Sequence, residues 1–326
     1  MSMNRLVKIS LLLPASVFLA FLLLSWSFYG EIFMSFFPYL IAIYCGYMVM
    51  LSVFLFFQHV DLKKQNILWI NWLMVFFAFL GIFSNYFELS ASAADNRSKN
   101  EIKVVGINLW YKNTQTQLIM DFFKDEDPDV LMLAEFTNVQ YEEMGDYLSS
   151  TFPYSSLQIE ELSRPYTGKA VFSRFPLSKK VIEDPINSEI FLLTETKAFD
   201  KNIDLMMVHT TAPINTEFFE SRNHQLGFLG NELINEIQNP AIVMGDFNVS
   251  PWSPRFIQMD DKLSDSDFSR IRNNSFAFSW QYQGFPRLKS HIDHTYLTSE
   301  LTKNSYELKD FPGSDHKAQV VTISID

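Results

Sequence analysis

AIVMGDFNVSPWSP, residues 241–254, is the stretch on which the fold turns. It opens as a short apolar run with the composition of a buried strand. It then sets Asp246 and Asn248 on either side of Phe247, directly after Gly245. On extended backbone, side chains two apart project to the same side. The acid and the amide are therefore expected to reach one target, with Phe247 anchoring the turn in the core.

Working outward, the same design recurs. Short runs rich in Val and Ile fall at 102–108 (IKVVGIN), 129–135 (DVLMLAE), 169–173, 190–197, 203–210 (IDLMMVHT), 292–298 (IDHTYLT) and 318–325 (AQVVTISI), each of strand type. Helical periodicity runs through 114–126, 138–149 and 215–238, where Phe218, Phe219, Leu226, Leu229, Leu233 and Ile237 fall near one face. Strands mixed with helices predict an α/β domain of two sheets packed face to face under helical layers. A polar residue ends run after run: Asn108, Glu135, His209, then Asp246 with Asn248, while Asp315 and His316 precede the last. Loops at one rim of such a scaffold are where sites are built. Taken singly, each has a plain structural use as a turn, a cap or a surface strand end. Repeated at one placement, these residue types suit a metal-phosphate site.

GDFN with PWSP, SDH ahead of a terminal strand, HIDHTYLTS, LMLAEF and GINLWYKN, five motifs that stand along the chain in the family's order, resemble the endonuclease/exonuclease/phosphatase superfamily. These are metal-dependent phosphoesterases related to DNase I, abasic-site endonucleases, sphingomyelinases and inositol polyphosphate phosphatases. The resemblance covers roughly residues 101–326 and implies a four-layer α/β/β/α sandwich. It implies that Asn108 and Glu135 hold Mg2+, or Mn2+ in its place, with Asp315 near the metal. A hard cation of this kind takes oxygen ligands and keeps several waters. It further implies that Asp246 orients or activates the attacking water and that Asn248 and His209 hold phosphoryl oxygens. Asp293 would fix the tautomer of a catalytic His316. Tyr166, ahead of Thr167-Gly168, matches a tyrosine that touches the phosphate, although Lys169 is an alternative in the same loop. Trp110 and His291 depart from the residues common at those places. His291, His294, His59 and His224 read as structural, since a zinc site would need closer spacing.

Ahead of this domain, no charge lies between Lys8 and Glu31, between Glu31 and His59, or between Lys64 and Glu88, gaps of 22, 27 and 23 residues. Each reaches the ~20 apolar residues that cross a hydrocarbon core. We therefore expect a three-helix transmembrane anchor over residues 1–87 (spans at about 9–30, 32–58 and 65–87), a linker over 88–100 and the catalytic domain over 101–326. Pro14 and Pro38 are expected to kink the first two spans. Arg5, Lys8, Lys63 and Lys64 place the N-terminus and the second loop inside. The catalytic domain is then extracytoplasmic, on a multi-pass protein of the bacterial inner-membrane type. Cys45, the single cysteine, falls in the second span, so the outer domain has no disulfide.

The formal charge is −11, and the first 87 residues hold four bases (Arg5, Lys8, Lys63, Lys64) against two acids (Glu31, Asp61), so the rest carries −13. Nonspecific grip on a polynucleotide needs Lys and Arg to displace counterions, so nucleic acid is the less favoured partner. The leading expectation is a membrane-anchored phosphoesterase acting on a lipid or lipid-linked phosphate ester. An extracytoplasmic nuclease and a catalytically silent membrane binding module are the competing readings. Nothing in the sequence names a protein partner.

Overall fold

The computed structural model describes residues 3–59, 66–86, 100–159, 165–180, 182, 190–272 and 278–325. Most of the expected linker, 88–99, and the Lys63-Lys64 pair lie outside the described residues.

The chain opens with helices α1 (Met3–Leu24), α2 (Phe28–Met34), α3 (Phe37–Phe57) and α4 (Asn66–Tyr86). Segments Phe37–Phe57 and Asn66–Asn85 are each long and apolar enough to cross a membrane. A third crossing is counted if Ala15–Leu24 and Phe28–Met34, bent by 117°, form one broken span. The three long helices run antiparallel: Phe18 packs on Phe37 and Tyr44, Tyr47 donates to the Ser10 carbonyl, and Leu55 meets Leu68.

The expected second span, 32–58, is corrected in one respect. Residues 28–34 form a separate short helix capped by Ser27, whose side chain accepts from Gly30 N. Pro38 then stands in the first turn of α3, where its missing N–H costs nothing. It starts a helix instead of kinking one.

The second part contains β1 (Glu101–Asn108), α5 (Thr116–Glu126), β2 (Val130–Ala134), α6 (Asn138–Thr151), β3 (Tyr154–Gln158), β4 (Lys169–Ser173) and β5 (Leu177–Lys179). It continues through β6 (Phe191–Ala198), β7 (Lys201–His209), α7 (Thr216–Asn231), β8 (Ala241–Asp246), α8 (Pro254–Asp265) and β9 (Phe268–Arg270). Two short strands, β10 (Trp280–Gln281) and β11 (Lys289–Ser290), precede β12 (Asp293–Thr298), β13 (Leu301–Asp310) and β14 (Lys317–Ile325).

One sheet has the order β13-β14-β1-β2-β4-β3 and the other β5-β6-β7-β8-β12-β9. Alternation along each strand decides the layers. Val104, Val130 and Met132 face Leu205, Ile242 and Met244 of the other sheet. Their neighbours Val105, Leu131 and Leu133 face Ile119 and Phe123 of α5 and Met144 and Leu148 of α6. On the far side Met206 and Val243 meet Leu226 and Leu229 of α7 and Phe256 and Met259 of α8. Each such side chain, fully buried, stabilises the fold by roughly 1.5–3 kcal/mol. The result is the four-layer α/β/β/α sandwich.

Two adjacent pairs, β1 with β2 and β7 with β8, are parallel. Their C-terminal ends therefore open on one rim.

Candidate active site

That rim collects the polar strand ends. Asn108 closes β1 beside Ala134, so Glu135 follows one residue beyond the parallel partner. His209 and Asp246 are register partners at the ends of β7 and β8. β12 enters antiparallel and sets Asp293 beside Asp246. β14 runs antiparallel to β1, which brings the preceding His316 back to the rim.

The backbone is bent to serve this convergence. Glu135 (φ 53°), Asn248 (φ 50°) and Trp110 (φ 62°) all sit in the left-handed region, which side chains rarely occupy unless their surroundings impose it. Gly245, at φ 148°, lies where an added Cβ would strike the Val208 carbonyl oxygen, so only glycine lets β8 and β7 close up just before Asp246. The extended geometry expected for residues 246–248 is not what is found. The chain turns left-handed at Asn248, and Phe247 alone keeps the inward role, buried against His294 and Tyr296.

Asn108 Nδ2 donates to Glu135 Oε1 (3.0 Å) and to Asp246 Oδ2 (3.1 Å), while its Oδ1 accepts from Trp110 N. Tyr111 N donates to Glu135 Oε2 (3.0 Å). His209 Nε2 lies 3.6 Å from Glu135 Oε1 and 3.9 Å from Asp246 Oδ2. His316 Nδ1 contacts both Asp293 oxygens, at 2.9 and 3.0 Å, and its Nε2 is 3.6 Å from Asp246 Oδ2. Asn248 Nδ2 donates to the Thr210 carbonyl and its backbone N to Asp246 Oδ1, each at 2.8 Å. Asp315 accepts from Trp280 Nε1 at 3.1 Å. Tyr166 stands further out, 45% exposed in a short 3-10 turn, its ring edge-on to Tyr111 at 6.3 Å.

Electrostatics separate the two histidines. Burial opposes charge on His316, but Asp293 and then Asp246 outweigh it and push its pKa up to about 10. Among the described residues His209 has no carboxylate within hydrogen-bond distance, the nearest being 3.6 Å away; burial, followed by Lys169 and His316, drives it down to about 3. Burial raises the Glu135 carboxyl against the Tyr111 and Asn108 hydrogen bonds. It raises Asp246 as well, with Asp293 adding to the effect and His316 opposing it.

The donor set fits a hard divalent cation. Two carboxylates, half-buried Glu135 and buried Asp246, share the single Asn108 amide and have no Lys or Arg ion pair among the described residues. A cation beside them would relieve the burial that pushes both up, and oxygen ligands of this kind suit Mg2+. Asp246, Asp293 and His316 also offer ligand atoms within 4.8 Å of one another. Since both Asp293 oxygens are committed to His316, that trio is better suited to proton handling than to ligation.

Several residues around the site were not singled out by the sequence. Arg222 donates from Nη1 to the Asn248 carbonyl at 2.8 Å. Its signal was an arginine inside a stripe of α7 that otherwise reads Phe219, Leu226, Leu229. Ser279 Oγ accepts from Asp293 N, and Trp280 holds Asp315; neither carried a local signal. Ile32, Ser35 and Phe36, from the N-terminal part, line the same cavity of about 360 Å³ as Glu135, Asp246 and His316. An adjoining cavity of about 720 Å³ includes Tyr166, Lys169 and His209.

No curated protein matches the chain. Solved structures of similar fold include an endonuclease/exonuclease/phosphatase from Beutenbergia cavernae DSM 12333, with TM-score 0.55 and 14% identity over 70% of this chain and 72% of that one. The 3′ phosphatase NExo from Neisseria, bound to a product DNA hairpin, gives TM-score 0.55 and 15% identity over 69% and 99%. Beta toxin from Staphylococcus aureus with bound magnesium ions gives TM-score 0.52 and 16% identity over 69% and 100%. Residues 106–316 match the Endonuclease/Exonuclease/phosphatase family, so the chain belongs to that family and is by class a metal-dependent phosphoester hydrolase.

Proposed function

We propose that this chain is a membrane-anchored, Mg2+-dependent phosphoesterase that hydrolyses a lipid or lipid-linked phosphate ester on the outer face of a bacterial-type membrane. The observation that carries the reading is the shared cavity. One wall is Glu135, Asp246, Asn248 and His316; the other is Ile32 and Phe36 of the helical anchor. A phosphate at the rim would leave its apolar continuation against the anchor, where Tyr29, Ile32 and Phe33 of α2 are exposed in the manner of an interfacial helix. The ends of α1 and α4 and the start of α3 adjoin the catalytic part, so the start of α1, with Arg5 and Lys8 in its first turns, and the α3 end facing α4 lie on the far side; Lys63 and Lys64 fall between α3 and α4 in the sequence. This supports an extracytoplasmic catalytic domain.

Mg2+, held by Glu135 and Asn108 with Asp315 nearby, would supply charge neutralisation and Lewis acidity at phosphorus. The chain supplies the rest. Asp246 orients a water for in-line attack and accepts its proton. His316, kept protonated by Asp293 and Asp246, stabilises the charge that builds up. His209, held neutral, together with Asn248 and Tyr166, donates to the equatorial oxygens. Fixed donors of this sort provide most of the rate gain because they need not reorganise.

The test uses the full-length chain in detergent with Mg2+, assayed against phospholipids, a polyprenyl pyrophosphate, inositol phosphates and a DNA hairpin. Hydrolysis of a lipid phosphate, abolished by EDTA, is expected. Cleavage of DNA alone would replace the lipid reading with the nuclease one, and the similar fold that holds a DNA hairpin makes that arm necessary. Lipid turnover unchanged by Glu135→Ala and His316→Ala would leave a silent binding module.

A further inference from the structure

The anchor does more than sit beside the site. Arg222 of α7 is 1% exposed, and the carboxylate that meets its guanidinium comes from Glu31 of α2, a hundred and ninety-one positions earlier in the chain. The same guanidinium donates from Nη1 to the Asn248 carbonyl and from Nε and Nη2 to Asn223 Oδ1 (3.1 and 2.9 Å). It lies 5.2 Å from the Phe219 ring. Glu31 is itself 3% exposed and is the one acid between the first two apolar stretches. Charges taken out of water at this depth persist only while paired. Without Glu31, the guanidinium would have to draw outward or recruit water, and its hold on the Asn248 carbonyl would go with it. Asn248 depends on such holds. Its left-handed φ of 50° is a conformation that surroundings must impose; the imposing contacts are Arg222 on its carbonyl, Asp246 on its N–H and Thr210 on its amide.

We infer that Glu31 is a positioning residue for the reaction: through Arg222 it fixes the turn that presents Asn248, so the catalytic rim is completed only when α2 of the anchor is docked. The inference deepens the phosphoesterase reading and rests on it for the role of Asn248. A purely adhesive ion pair would hold the anchor in place without touching the rim, and the experiment separates the two.

Wild type, Glu31→Gln, Asn248→Ala and the double variant are compared as full-length chains in detergent, with Mg2+ and bis(p-nitrophenyl) phosphate as a soluble probe free of any lipid. Glu31→Gln is expected to lower kcat about tenfold or more, since small misplacements near a reacting centre are costly, with KM within about twofold. In the Asn248→Ala background it is expected to add nothing, because coupled residues are not additive. Losses that multiply would show that Glu31 acts elsewhere and would overturn the inference. Amide exchange over residues 245–249 is the second readout, expected to quicken in Glu31→Gln. Unchanged exchange with unchanged kcat would also overturn it. Should Glu31→Gln fail to fold, the pair Glu31→Leu with Arg222→Met keeps the volume while removing both charges. Buried ion pairs often tolerate that exchange. Wild-type kcat and exchange in this pair would sink the inference. A wild type inactive on every phosphoester counts against the phosphoesterase reading, whereas the exchange measurement still decides the link from Glu31 to the Asn248 turn.

Discussion

His316 and His209 are the same residue type a few ångströms from the same carboxylate, yet one holds a proton to about pH 10 and the other loses it above about pH 3. The difference is Asp293, whose two oxygens are both spent on His316. Asp293→Asn, which keeps the shape and removes the charge, is expected to lower the His316 pKa and cut kcat by 10²-fold or more, the scale of losing one preset electrostatic partner. An NMR titration of the His316 ring checks the first effect and steady-state kinetics the second. Linkage gives a second prediction. His209, His291 and His294 are buried neutral, each lowered first by desolvation. Their unfolded value is near 6.5, so the stability they contribute is present above that pH and lost as pH falls towards 3. His316 has the opposite sign: its contribution is full below 6.5 and fades as pH rises through 10. Acidification from pH 7 to 5 should therefore cost about 2 kcal/mol for each of His209 and His291, whose folded values fall to about 3, with His294 adding in the same direction and the raised Asp246 carboxyl offsetting part of it; the sum is read as a falling melting temperature. His294→Gln, which retains a donor for the Val249 carbonyl, should flatten that slope.

At the level of elements, caps and edges explain both what the sequence disclosed and what it hid. Helix α6 begins with a reciprocal capping box, Thr137 accepting from Gln140 N while the Gln140 side chain accepts from Thr137 N. Thr137→Ala is expected to cost about 1 kcal/mol and to lower the melting temperature by roughly 2–4 °C for a domain of this size, measurable by scanning calorimetry. The buried strands β1, β2, β7, β8 and β14 were legible because unbroken Val and Ile runs have no other use, and their polar last residues stood out against them. β13 was not legible. LTKNSYELKD is polar because it is an edge strand with one covered face, and period-2 burial cannot be told from a solvated loop when half the positions are water-facing. α8 was hidden by its start: Ser253 caps it and Pro254 occupies its first turn, so PWSP, which entered only as part of the family resemblance, is also a helix N-terminus. The left-handed backbone at Glu135 and Asn248 had no sequence signal either, since it is imposed by partners distant in the chain.

At the scale of the whole molecule, the two parts share a seam. Trp252 is buried among Met34, Phe37, Ile41 and Ile82, with Phe18 and Phe278 alongside, and Arg270 donates to Asn85 Oδ1 at 2.8 Å. Residues 100–326 made alone would expose that apolar seam and leave Arg222 without its carboxylate. We expect this fragment to melt lower than the full chain and to self-associate, as sedimentation would show. The 117° bend between α1 and α2 bears on kinetics as well. If the chain is anchored as proposed, its rim is tethered at fixed height above lipid and meets its substrate in two dimensions. On the proposed reading, turnover should follow the mole fraction of substrate within a mixed micelle or vesicle and stay flat when that composition is held and the total amount of lipid is raised.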